Sequence, residues 1–261
     1  MIAHPNFDPV AFRVLDWPVH WYGIMWLCAF LAAGFAAKRL AAKPAFAGAP
    51  VPAEELLTAG IIGALLGGRL GYALFYDFAV YAAEPLRVLQ IWRGGMSFHG
   101  GLLGVAAALF WLARKNRLPF LRITDFAAAL APPGLGMGRI GNFINGELPG
   151  RAASPDLPWA MIFPGDDIAR HPSPLYQAFL EGVALGALMW MMASRKPRSP
   201  GFLSAVFLLG YAACRLFSEL FRQPDPHLGL LAGGFSMGQW LSLPMFLLGA
   251  GLLLREKLRR K

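Results

Sequence analysis

The chain has 261 residues, of which 56% are hydrophobic and only 15% charged, with 20 Phe and 8 Trp. A soluble domain carries about 25% charge, so this balance excludes an ordinary water-soluble enzyme and points to an all-α polytopic membrane protein. The net charge of +9 has no contiguous basic face to sit on, which excludes a nucleic-acid partner, and the two cysteines, Cys28 and Cys214, lie in apolar runs whose spacing suits neither a disulfide framework nor a metal site.

The opening MIAHPNFDPV lacks the basic start of a secretory leader and reads as a tail outside the membrane. Crossing ~30 Å of hydrocarbon takes about 20 apolar residues in a helix. Seven runs approach that length: 21–37, 56–76, 96–113, 123–144, 175–193, 202–221 and 237–254. They are long and do not alternate, so helices are expected and a barrel is not. Between the second and third runs, residues 77–95 read as an amphipathic arm lying on the interface. Between the fourth and fifth, residues 145–174 are too polar and proline-rich to span and are expected to cap the outer face. The whole chain, 1–261, reads as a single transmembrane domain. Lysines and arginines concentrate in AAKRLAAK, RKNRLPFLR, SRKPRSP and REKLRRK. The positive-inside rule puts those segments in the cytoplasm with the C-terminus, and the N-terminus on the opposite, periplasmic side. Trp17, Trp21 and Trp92 suit interface anchors.

Ionisable groups inside such spans are costly and mark cavities or mutual pairing. At 1.5 Å per residue, Arg69, Arg139 and Arg215 fall in the outer half of their spans, as do His99, Tyr22, Gln177 and Glu181. Asp125, near the inner end of the fourth run, reads instead as a helix-start residue. Tyr211, Arg215 and Glu219 are four apart and share a helix face, with Arg222 a turn further; Gln177 and Glu181 are also four apart. The run APPGLGMGRIG is expected to break its helix, which then restarts near Arg139 with free N–H groups aimed at an anion. Arginine suits phosphate because its planar fork donates several hydrogen bonds and stays charged. At this depth the phosphates are those of outer-leaflet lipids. Structural roles compete for the same residues. Arg69 has Tyr72 and Asp77 as nearby partners, Glu219 is placed to pair with Arg215, Glu147 to anchor the outer loop, and Asn142 and Asn145 to bond between helices. The glycines of 60–68 suit close helix packing.

The runs GRIGNFINGE (138–147), FHGGLLG (98–104), HWYG (20–23), GGRLGY (67–72) and FRQPD (221–225) resemble the prolipoprotein diacylglyceryl transferase family, and the likeness extends over nearly the whole chain. The resemblance implies an enzyme of the bacterial inner membrane, with its active site towards the periplasm. It would move the diacylglyceryl group of phosphatidylglycerol to the lipobox cysteine of a preprolipoprotein signal peptide, making a thioether and releasing glycerol 1-phosphate. It implies no metal and no cofactor. Arg139 matches the signature arginine that contacts phosphatidylglycerol; Asn142, Glu147 and Gly150 match further signature positions; His99, Tyr22, Tyr211 and Arg215 match positions needed for activity. RHPSPLYQ (170–177) departs from the family's usual RHPSQLYE, which puts side-chain chemistry at Pro174 and Gln177 in doubt.

On this reading Arg139 and Arg215 form a clamp on the leaving phosphate, and His99 or the neighbouring cations favour the substrate thiolate. Tyr22, Arg69, Asn142, Glu147, Gly150, Tyr211 and Glu219 are expected around the substrate. Two rival classes share the polar layer: a lipid-flipping transporter and a non-catalytic lipid-binding scaffold. The transporter predicts polar groups in the inner half too, where they are sparse.

Overall fold

The computed structural model describes residues 1–46, 51–195, 199–224 and 229–259; Asp225 of the FRQPD run and the basic residues Lys196, Arg198, Arg260 and Lys261 lie outside them. The chain forms two compact units, Met1–Ala47 with Ala128–Lys261, and Gly48–Ala127.

The unit Gly48–Ala127 is built on α2 (Ala53–Phe75) and α4 (Phe98–Lys115). Glycines let the two touch backbone to backbone: a methyl on Gly63 would lie 2.6 Å from the Gly104 carbonyl oxygen, and one on Gly71 2.8 Å from the Gly100 Cα. Small residues are what close helix packing in lipid requires. Between them run a short α3 (Phe78–Ala83) and two 3-10 turns, Pro85–Leu89 and Ile91–Arg93. The expected amphipathic arm is thus a string of short turns, because Pro85 and the Gly94–Gly95 pair interrupt any longer helix.

The other unit holds a two-residue strand β1 (Ile2–Ala3), a hairpin of β2 (Val10–Val14) and β3 (Trp17–His20), and α1 (Trp21–Ala41). The hairpin turns through Leu15 and Asp16, both at positive φ, the twist a two-residue connection needs. Next comes α5 (Phe120–Ile144), within which the boundary between the units falls, and then a loop containing β4 (Met161–Ile162). β1 pairs in parallel with β4. A helical run from 173 to 193 follows, in three parts: α6 (Ser173–Gln177), a π-helical stretch (Ala178–Ala184) and α7 (Leu185–Ala193). α8 (Phe202–Ser218) and α9 (Met237–Arg259) complete the chain, and they pack on each other through Gly249, whose position leaves a Cβ only 2.9 Å from Leu209.

Among the described residues four helices are long and apolar enough to cross a membrane: Trp21–Ala41, Ala53–Phe75, Ser173–Ala193 and Met237–Leu258. Their outward faces carry bare hydrocarbon, with Leu31 66%, Phe75 82% and Leu247 70% exposed. The chain is therefore a mostly helical, multi-pass membrane protein. Two sequence expectations are corrected. α5 starts directly after Pro119, so Asp125 is not a helix-start residue but a buried one in the helix interior. α5 also does not break at Pro132 and Pro133. Packing outweighs the local preference: Gly182 of the π-helical stretch sits so close that a Cβ there would lie 2.7 Å from the Gly136 Cα. No helix restarts at Arg139, and no ring of free N–H groups surrounds it.

Candidate functional site

The π-helical turn carries Glu181 next to Gly182, and Arg139 lies one turn beyond Gly136 on the facing helix. The glycine contact therefore brings the two side chains together. Single π turns inside α-helices re-aim side chains and recur at functional sites. Glu181 is fully buried; its Oε2 accepts a hydrogen bond from Arg139 Nε at 3.3 Å, and its Oε1 lies 3.8 Å from Arg215 Nη1. Tyr211, four residues before Arg215 on α8, lies beside Arg139. Arg215 donates to Gln177 Oε1 at 3.3 Å and, through Nη2, to Glu219 Oε1 at 2.7 Å. Glu219 also accepts from Arg222 Nη1 at 3.3 Å and from the Ser236 hydroxyl at 2.6 Å. α9 begins close against this network, since a Cβ on Gly238 would lie 2.6 Å from Glu219 Oε1.

Arg139, Arg215 and Arg222 meet Glu181 and Glu219 here, so these five side chains together carry a net positive charge. Glu181 Oε1 has no hydrogen bond among the described residues. The Arg139 side chain keeps 19% of its surface exposed, while Glu181 keeps none. A cationic, partly open and otherwise buried cluster of this kind has the chemistry to accept an anion.

The end of α5 explains the polar signature. The Gly146 N–H bonds the Phe143 carbonyl and the Glu147 N–H the Asn142 carbonyl, both at 2.9 Å, with Gly146 at φ +67°. That is a Schellman stop, which favours glycine at the left-handed position. The Glu147 carboxylate then gathers the turn, accepting from Asn142 Nδ2 at 2.9 Å and Asn145 Nδ2 at 3.0 Å. Tyr22, in the first turn of α1, comes close against the same helix because residue 141 is glycine: a Cβ there would come 2.9 Å from the ring. Gly150 is pressed between the His171 and Phe221 carbonyls, and its N–H bonds His171 at 2.9 Å. From the N-terminal tail, His4 Nε2–H donates to the Phe143 carbonyl at 2.7 Å while Nδ1 accepts from the Asn6 N–H. In the loop, Trp159 Nε1–H donates to the Tyr176 hydroxyl at 2.8 Å, and that hydroxyl meets His171 Nδ1 at 3.1 Å. Burial holds His171 below the usual histidine value.

Of the residues singled out by sequence, Arg139, Tyr211, Arg215 and Glu219 gather in one cluster of ion pairs around Glu181, and Tyr22, Asn142 and Glu147 sit along the same α5 end. Arg69 and His99 belong to the other unit. His99 is exposed in the first turn of α4, behind the N-cap Ser97, whose hydroxyl accepts from the Gly100 N–H at 3.1 Å. Arg69 departs from its expected pairing. It bonds neither Tyr72 nor Asp77, and all five of its N–H groups go to main-chain carbonyls of the arm: Nε to Val88, Nη1 to Gly94 and Gly95, Nη2 to Arg87 and Gln90. No donor is left for a headgroup. Beside it opens a cavity of about 220 Å³ lined by Arg69, Tyr72, Asp77, Tyr81 and Arg87. Sequence reasoning left Glu181 and Ser236 out of the site. The four-residue spacing of Gln177 and Glu181 marked a shared face, but the π turn that aims Glu181 between two arginines leaves no mark in the sequence. Among the described residues no group of three or more His, Cys, Asp or Glu side chains is arranged to hold a metal ion.

Comparison with known proteins gives a consistent result. The family model described as "Prolipoprotein diacylglyceryl transferase" matches residues 9–255. The chain is similar to the phosphatidylglycerol–prolipoprotein diacylglyceryl transferase of Polynucleobacter asymbioticus, at 52% identity over 98% of each chain. It resembles the protein of the same description from Methylobacillus flagellatus at 52% identity, over 97% of this chain and 98% of the other. The counterpart from Polynucleobacter necessarius is 50% identical over the full length of both.

Proposed function

The chain belongs to the prolipoprotein diacylglyceryl transferase family and is a transferase; on that premise we propose that it moves the diacylglyceryl group of phosphatidylglycerol to the lipobox cysteine thiol of a preprolipoprotein signal peptide. A carbon–sulfur bond forms at the glycerol carbon that bears the phosphate. The carbon–oxygen bond to that phosphate breaks, and glycerol 1-phosphate leaves with the electron pair. The family disfavours the flipping-transporter and scaffold readings. The observation that carries the proposal is the Arg139–Glu181–Arg215 cluster, a preset cationic site for a phosphate diester.

Arg139, the more open of the two arginines, binds the headgroup phosphate, and Arg215 adds its charge as negative charge grows on the leaving oxygen. Donors of this kind in a water-poor site are worth several kcal/mol in the transition state. Gln177, Glu219 and Ser236 fix the Arg215 fork. Tyr211 orients Arg139, and Tyr22, Asn142, Glu147 and Gly150 shape the end of α5 where the substrate lies. The nucleophile comes from the peptide. His99 acts as its base, or the neighbouring arginines favour the thiolate by their charge. Seven spans cross the bacterial inner membrane in a single transmembrane domain, residues 1–261. The N-terminus, the arm 77–95 and the loop 145–174 lie on the periplasmic side, and the C-terminus lies in the cytoplasm.

The test is a purified-protein reaction with phosphatidylglycerol and a lipobox peptide. Thioether-modified peptide together with released glycerol phosphate is expected, and their absence would refute the reading. Near-normal turnover by His99→Gln would remove His99 as the base.

A further inference from the structure

The arm of the unit Gly48–Ala127 has an unusual means of attachment. Neither α3 nor the turn Pro85–Leu89 buries a single side chain. Its large apolar groups point away from the protein, with Leu86 76%, Leu89 67% and Trp92 69% exposed. Apolar packing, with Tyr81 edge-on to Tyr72 at 6.4 Å between ring centroids, does not by itself hold the arm to α2. Arg69 does: it is only 4% exposed, and its five N–H groups converge on five carbonyls of residues 87 to 95. Short 3-10 turns leave carbonyls without helical partners, and a guanidinium is the one side chain with enough fixed donors to take them all. The cation also lies 5.2 Å from the Tyr81 ring centroid, a second contact to the arm.

The attachment continues into α4. Gly94 and Gly95, both Arg69 acceptors, sit at φ +77° and +79° and make the turn from arm to helix. Gly95 is pressed onto Tyr72 of α2, where a Cβ would come 2.7 Å from the ring. Ser97 N–H then donates to the carbonyl of Gly68, the residue next to Arg69, at 2.9 Å, and Ser97 caps the turn that carries His99. One side chain thus sets the register of the arm, the glycine turn and the outer start of α4.

We propose that Arg69 is a positioning residue for the transfer reaction, which holds the arm and the His99-bearing turn in place through main-chain carbonyls and makes no contact with the lipid headgroup. The proposal rests on the transferase reading for its kinetic part only. Two substitutions and their combination test it. Arg69→Lys keeps the charge but has three donors in place of five in a planar fork. Gly94→Ala leaves Arg69 intact and meets nothing within 4 Å, so it acts only by straining the turn. The full chain is purified, its fold checked by thermal melting, and kcat and KM measured with phosphatidylglycerol and a lipobox peptide. Amide exchange over residues 84–100 is measured in parallel and needs no turnover.

Each single variant is expected to lower kcat about tenfold or more with KM changed less than about twofold. Exchange in 84–100 should rise about tenfold, and the double variant should lose little beyond either single one, because both act on the same turn. A raised KM for phosphatidylglycerol with unchanged kcat and exchange in Arg69→Lys would show a headgroup contact and overturn the proposal. Multiplying losses in the double variant would do the same. A wild-type kcat in Gly94→Ala overturns it even if Arg69→Lys does not fold. A wild-type chain that forms no thioether would refute the transferase reading and leave the exchange result standing.

Discussion

Glu181→Gln removes one negative charge from between two arginines with almost no change in shape. At an effective dielectric of about 20, unit charges at the observed 3.3 and 3.8 Å attract by ~5 and ~4 kcal/mol. The cost of burying a carboxylate offsets much of this, and breaking a buried ion pair by removing one partner typically costs about 3 kcal/mol. For a chain of this size that corresponds to a melting point lower by about 6 to 12 °C. Function should suffer separately. The amide oxygen of the substituted side chain still accepts from Arg139 Nε, but no carboxylate is left between the two guanidinium groups, and only Glu219, on the far side of Arg215, still offsets their repulsion. Displacement by about 1 Å costs on the order of 100-fold in rate. The assays are thermal unfolding in detergent and single-turnover transfer to a lipobox peptide. If Glu181→Gln melts and turns over like the parent chain, the carboxylate is not what holds the arginines, and the cluster's role as a preset phosphate site is wrong.

Arg139→Lys should lose at least about tenfold in kcat/KM for phosphatidylglycerol, because a lysine cannot keep both the Glu181 bond and a forked phosphate contact; full activity would exclude bidentate recognition. Gly150→Ala forces a methyl against the His171 and Phe221 carbonyls, and a destabilisation of about 1–3 kcal/mol is expected by denaturant unfolding. The His171 value is depressed by burial, so in the acid range the unfolded chain binds the proton more readily than the folded one. The stability this residue gives is therefore present above its ordinary value of about 6.5 and is lost as pH falls through the lower folded value. Trp159 fluorescence, which reports the Trp159–Tyr176–His171 chain, should change as pH falls below that point, and His171→Phe should abolish the change.

The apolar, helical character of the chain and the α8 face were legible in the sequence because each is a matter of spacing. Tyr211, Arg215 and Glu219 at intervals of four stand on one side of α8, and Glu219 does pair with Arg215. The path of α5 was not legible. Pro132 and Pro133 argue locally for a break, whereas the helix runs on, packed against the distant Gly182. Arg69 misled for a similar reason. Its acceptors are carbonyls, which every residue has, so no pattern of side chains pointed from residue 69 to residues 87 to 95. Glu181 was visible as a buried acid but not as a bridge, since a π turn rotates the side chains that follow it away from the α-helical face.

The parallel pairing of Ile2–Ala3 with Met161–Ile162 has a consequence for biogenesis. At about 5–20 residues per second, the ribosome delivers the second strand roughly 8 to 32 s after the first. Through that interval the start of the chain has no mate, and His4 has no Phe143 carbonyl to grasp. That pairing is thus made late in synthesis, after α1 to α5 have been made, and a fusion placed ahead of residue 2 would burden that final closure.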